Sequence, residues 1–276
     1  MTNFNNKFHF LHPKHWYIEL LFLSGVGSII LGVLGAYWDI GWHFDYGRDT
    51  FWSPPHFFIY GSVTLTALFF IFNLLLGIRY NLRHRNHALW LLLLFGFGST
   101  VLVFSAAPLD ELWHRIYGID IQIFSLPHLM LIFGSVLGAV AMVAILKYHI
   151  LHESKKFLLE KILIPVFFAG MLVGLNLMFA ESEFPTLPLD HPAASRLPFI
   201  YPTFYLISAL TIFITVKYIS NLRWATTITF FTFIFLRTLP IIWNTSWGMN
   251  SVPIAPPFLP LLFLTSIAID LVKKKS

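Results

Sequence analysis

A chain of 276 residues that is 57% hydrophobic and 11% charged, with a mean hydropathy of +0.73, would expose too much apolar surface to be a water-soluble domain. Its apolar runs are of helix length, so it reads as an all-α polytopic membrane helix bundle. The net charge of +5 is explained by basic ends of membrane segments and not by nucleic-acid binding. The absence of cysteine excludes disulfides and thiolate ligands, leaving His, Asp, Glu and backbone or water oxygens for any metal.

The first stretch, 1–16, is polar and carries His9, His12 and His15, read as interfacial histidines and not as a metal site. About eight transmembrane helices are then expected, near 17–38, 55–78, 88–107, 127–147, 159–180, 199–217, 224–243 and 255–272, within a single integral membrane domain, 1–276. Fourteen of the eighteen basic residues fall at one set of ends, which predicts cytoplasmic N- and C-termini. The opposite, extracytoplasmic face takes Arg48, Arg115, Arg196 and Arg237 with nine of the thirteen acidic residues.

Between the first two spans lies Asp39-Ile40-Gly41-Trp42-His43, followed at Ser53-Pro54-Pro55-His56 by a second histidine. Asp39 and His43 are four apart, so one further helical turn would stack carboxylate and imidazole on one face. Pro54-Pro55 suits the first turn of the next helix, which brings His56 toward them. Two histidines and a carboxylate leave positions open on a metal ion.

The arrangement recurs after the third span. Asp110, His114 and His128 repeat it with one residue inserted, Tyr117-Gly118-Ile119-Asp120 echoes Tyr46-Gly47-Arg48-Asp49, and Ser125-Leu126-Pro127-His128 answers the earlier Ser-Pro-Pro-His. Gly134-Ser135 answers Gly61-Ser62. Two copies in register predict an internal duplication, with 17–78 and 88–150 as repeated helix pairs each carrying an Asp/His/His site.

Such residues at a helix end also serve as interfacial anchors, with Trp38, Trp42, Trp52 and Trp113 in an aromatic belt. Their grouping into two matching constellations favours a site. Asp49, Asp120 and Arg48 are expected to orient the ligand histidines from behind. The remainder, 159–276, reads as a ligand-poor second half in which Glu181, Glu183 and His191 stand equally as extra ligands or as a solvated loop. Pro256-Pro257-Phe258 faintly echoes Pro54-Pro55-His56.

At 39–56 the sequence resembles the C subunit of the particulate methane and ammonia monooxygenases, the copper membrane monooxygenases. That family's stretch reads Asp-x-x-Trp-His, four residues, Arg-Asp-Thr, then x-Phe-Thr-Pro-Ser-His. Asp39, Trp42, His43, Arg48, Asp49, Thr50, Pro54 and His56 match in register, with Trp52, Ser53 and Pro55 as replacements. The resemblance implies a copper site at Asp39, His43 and His56. It implies a second site at Asp110, His114 and His128, where the family's Asn-x3-His-x13-His has Asn in place of Asp110. It covers about residues 17–150 and implies A- and B-type partner subunits.

The resulting expectation is a copper-binding integral membrane protein, an oxygenase component with one or two mononuclear sites near the outer face. It would activate dioxygen to oxidise a small apolar substrate or ammonia. A non-catalytic copper store or delivery protein is the alternative. So is a zinc-dependent membrane hydrolase with Asp45, Asp49, Glu111 or Asp120 as base, and iron would suit the same ligands. Self-association in the bilayer stands beside the A- and B-type subunits as a partner arrangement.

Overall fold

The computed structural model describes residues 15–47, 50–84, 87–117, 124–152, 158–186, 200–256 and 258–272, and all regular structure among them is helical. The elements are α1 (His15–Tyr46), α2 (Pro54–His84), α3 (His87–Tyr117), α4 (Leu126–His152), α5 (Leu158–Asn176) with a 3-10 continuation (Leu177–Glu183), α6 (Ile200–Ile219), α7 (Ala225–Ser246) and α8 (Leu259–Leu271). Seven helices are long and apolar enough to cross a membrane, so the chain is a polytopic membrane helix bundle. The eighth has 13 residues, about 20 Å of rise, short of a hydrocarbon core of about 30 Å.

α1 and α3 run well past the ends expected for their spans, and this decides where the polar motifs sit. α1 continues to Tyr46 instead of stopping near 38, so Asp39 and His43 lie one turn apart on continuous helix. α3 runs through Pro108 to Tyr117, where a stop near 107 was expected. Proline removes one helical hydrogen bond and bends a helix, but membrane helices tolerate this when neighbours hold both halves.

The next helix in each pair starts the same way. Ser53 precedes Pro54 and Pro55, its carbonyl accepts from the His56 N–H at 3.0 Å, and its hydroxyl accepts from the Thr50 N–H at 2.7 Å. Ser125 precedes Leu126 and Pro127, and its hydroxyl accepts from the His128 N–H at 3.4 Å. A serine just before the helix, a proline that needs no N–H partner, and a histidine at the third helical position thus recur, with the serine hydroxyl capping the helix only in the second copy.

The repeated pattern extends deeper than the motifs. Gly25-Val26-Gly27-Ser28 in α1 and Gly96-Phe97-Gly98-Ser99 in α3 stand at the same offset as Asp39 and Asp110. α1 packs along α2 and α3 along α4. Small residues set these contacts, as expected where lipid supplies no hydrophobic drive between helices. A Cβ on Gly35 of α1 would lie 2.8 Å from Ile59 of α2, and one on Gly134 of α4 would lie 2.5 Å from Val103 of α3. Ser28 and Ser62 exchange hydroxyl-to-carbonyl hydrogen bonds at 2.9 and 2.7 Å, joining α1 to α2 in mid-helix.

The second half packs against the first through α4, which lies along α5, and through α1, which touches both α5 and α7. Phe22, Phe69 and Phe167 meet in that core. Trp38, expected in the aromatic belt, is instead buried among Trp42, Phe58, Trp243 and Trp247. α7 lies close enough to cover it, which α1 alone does not reveal. Trp52 is exposed, as a belt residue should be. α8 begins at Phe258, whose φ of 61° is left-handed, and Pro257 of the faint Pro-Pro-Phe echo lies outside the described residues.

Candidate metal centre

The helix extensions bring each set of three residues together. His43 Nε2 lies 3.8 Å from Asp39 Oδ2, and His56 Nε2 lies 3.3 Å from Asp39 Oδ1. In the second copy, His114 Nε2 is 3.4 Å from Asp110 Oδ2 and His128 Nε2 is 3.6 Å from Asp110 Oδ1. Each carboxylate therefore spans its two imidazoles, one oxygen to each, with the same atoms used in both copies.

The backs of the rings are held as well. His56 Nδ1 lies 3.3 Å from the Phe51 carbonyl, which also accepts from the Tyr60 hydroxyl at 2.8 Å. A carbonyl can only accept, so in this contact Nδ1 carries the hydrogen. Neutral His56 then turns the lone pair of Nε2 toward a carboxylate oxygen, an arrangement that needs a cation or a second proton between them. Asp39 Oδ1 is buried and makes no hydrogen bond among the described residues, which fits the same requirement. His128 Nδ1 is 2.9 Å from the Ser125 hydroxyl, so the residue that caps α4 also sets the ring.

Among the described residues no three His, Asp or Glu side chains form a group ready to hold a metal ion. In both constellations the carboxylate sits between the imidazoles, whereas ligands of one ion surround a common point. The donor set, two imidazoles and a carboxylate, suits copper, zinc or iron. Seating an ion requires the rings to open from the carboxylate.

The two constellations face one interior. A cavity of about 270 Å³ is lined by Asp39, His43 and His56 together with Asp110, His114 and His128. A second cavity of about 360 Å³, running between α1, α2, α4 and α5, is lined by Asp39, His43, His114 and His128, and by Ser28, Ser62 and Thr66. Four of the six residues thus stand between the two spaces. The spacing of residues along the chain predicts two sites but not that they share a chamber.

Other candidates fall out differently. Asp45, a possible base, accepts from the N–H groups of Asn250 and Ser251 at 2.7 and 2.9 Å and ties α1 to the loop before α8. Glu111 pairs with Arg115 at 2.9 Å and lines the smaller cavity. Arg48, Asp49, Asp120 and His191 lie outside the described residues. Glu181 lines the larger cavity. Glu183 is buried against Arg237 and accepts from the Tyr201 hydroxyl at 2.7 Å, so it is a partner of the second half and not an extra ligand.

Arg237, counted from the sequence with the outer-face basic residues, is therefore inside the bundle, with its guanidinium 4.1 Å over the Tyr37 ring. Sequence reasoning missed this pair as a pair. A lone arginine within an apolar helix and a glutamate after another span were the available signal, since an intramembrane charge normally has a partner.

No protein-family model, no curated protein and no solved structure matches the chain.

Proposed function

We propose that the chain is a copper-binding component of a membrane oxygenase, with ions held by Asp39, His43 and His56 and by Asp110, His114 and His128. The observation that carries the reading is the shared cavity. Two identical donor sets face one chamber inside a membrane bundle, where small molecules dissolved in lipid are the available substrates. The motif resemblance supplies the choice of copper.

Copper held there would supply one-electron chemistry toward dioxygen. The chain's own residues then have defined tasks. The Phe51 carbonyl and the Ser125 hydroxyl set the ring orientations of His56 and His128. Asp39 and Asp110 balance positive charge inside the bundle, and Val63, Val103 and Leu131 keep the chamber apolar. Insertion of oxygen into a small hydrocarbon or ammonia consumes electrons and protons, so an electron donor, or A- and B-type subunits, belongs to the proposal. The motif-bearing ends would face the extracytoplasmic side, in keeping with the distribution of Lys and Arg.

The test is metal analysis of protein purified in mild detergent, with electron paramagnetic resonance of any copper. Copper bound in wild type and lost in the His56→Ala, His128→Ala double variant supports the reading. Zinc in place of copper would overturn it in favour of a hydrolase. A storage protein would hold the same copper but show no oxygen consumption with any reductant and small substrate.

A further inference from the structure

The smaller cavity does more than join the two constellations: its lining includes residues of α2 and α3 that are exposed on the outside of the bundle. Its walls are the Ile59, Val63 and Thr64 face of α2 and the Val103, Ala107 and Pro108 region of α3. Thr64, Pro108 and Phe104 are exposed, Phe104 by 68%, so the lining continues from the buried carboxylates to the outside of the bundle. Along the same helices Leu68, Phe72, Phe95 and Val101 are exposed, which marks this flank as bilayer-facing.

The residues along α2 and α3 favour a looser seam near the motifs than farther along. Toward the opposite end α2 and α3 are locked where the Phe70 ring lies against Gly96, too close to admit a Cβ. Nearer the motifs, α3 presents Ala106 and Ala107, whose side chains are too small to fill the gap. Pro108 has no N–H to offer the Phe104 carbonyl, which leaves α3 one helical hydrogen bond short beside these alanines.

We propose that the α2–α3 seam is a lateral portal through which small, uncharged, bilayer-soluble molecules reach the two Asp/His/His groups without passing through water. The volume of about 270 Å³ suits a molecule of a few heavy atoms. The seam's role as a substrate path rests on the metal-centre reading, but its openness to such molecules does not.

The experiment therefore needs no metal. Protein in lipid vesicles is photolabelled with a short alkyl diazirine dissolved in the bilayer, and the labelled residues are mapped by mass spectrometry. Labelling is expected at Ile59 and Val63 inside the seam as well as at Phe72 and Leu75 on the lipid face. Ala107→Phe should fill the gap and bring Ile59 and Val63 to background, with Phe72 and Leu75 unchanged as evidence of a folded bundle. Thr64→Trp, from the opposite wall, should act alike if the first variant does not fold.

The portal is refuted if Ile59 and Val63 stay unlabelled in wild type while Phe72 labels, or if their labelling survives both variants. Equal labelling of Val63 by a charged, membrane-impermeant diazirine that Ala107→Phe does not reduce would also overturn it, in favour of an aqueous route. Loss of copper with labelling intact would sink the metal reading and leave the portal standing.

Discussion

Asp39 on α1 and Asp110 on α3 stand in separate helix pairs with matching motifs and line one cavity. Each lies against the two histidines of its own pair, at 3.3 to 3.8 Å. Metal occupancy should therefore be separable, whereas any small molecule in the chamber should sense both sites. His43→Ala or His56→Ala should lower metal content by one equivalent and leave the other, and His114→Ala or His128→Ala should do the converse. Metal analysis beside paramagnetic resonance checks this, and loss of all metal from every single variant would mean one joint centre.

Ser125 serves two structures at once, capping α4 and contacting His128 Nδ1. Ser125→Ala should cost about 1 kcal/mol of stability as a lost cap and weaken metal affinity at the second site by about 10- to 100-fold. Competition against a copper chelator reads the second effect. An unchanged affinity with a lowered melting temperature would leave Ser125 as a cap alone.

Asp110 is where the chain departs from the motif it resembles. Asp110→Asn should keep the second site occupied and raise its reduction potential, because removing the anion favours Cu(I) over Cu(II). Asp110→Ala should weaken binding, with two histidines left to hold the ion. Copper stoichiometry and potential measured in one detergent discriminate, and identical values for wild type and both variants would show that Asp110 is no ligand.

The buried Glu183–Arg237 pair offers a test of the second half that does not depend on metal. Glu183→Gln or Arg237→Met alone should destabilise the bundle by about 3–5 kcal/mol, since each strands a buried charge. The double variant should recover much of that loss, because both charges leave together. Thermal unfolding of the three variants in the same detergent is the measurement, and simple additivity would argue against the pair.

The distribution of Lys and Arg predicts that a reporter after Lys274 lies in the cytoplasm and one inserted at Pro188 lies outside. For the short α8 to bring the terminus back, the bilayer must thin locally or neighbouring helices must shelter its end. Both reporters on one side would remove α8 as a crossing element.

The helical membrane character is determined by the sequence alone, and the repeated motif is legible there, because hydropathy and fixed spacing act locally along the chain. The pairing of Asp39 with His43 followed from the helical repeat, once α1 was long enough to hold both. Where the helices end was less legible. The third span was expected to end near 107, yet α3 continues through Pro108 to Tyr117.

Only the tertiary structure decided that the two constellations share a chamber, that Trp38 is core, and that Glu183 meets Arg237 while Glu181 faces the larger cavity. Each of these depends on which helices become neighbours across the bundle. In lipid that choice is made by close packing at small residues such as Gly96 and Gly134 and by the need to partner buried charge, and neither leaves a periodic trace in the chain.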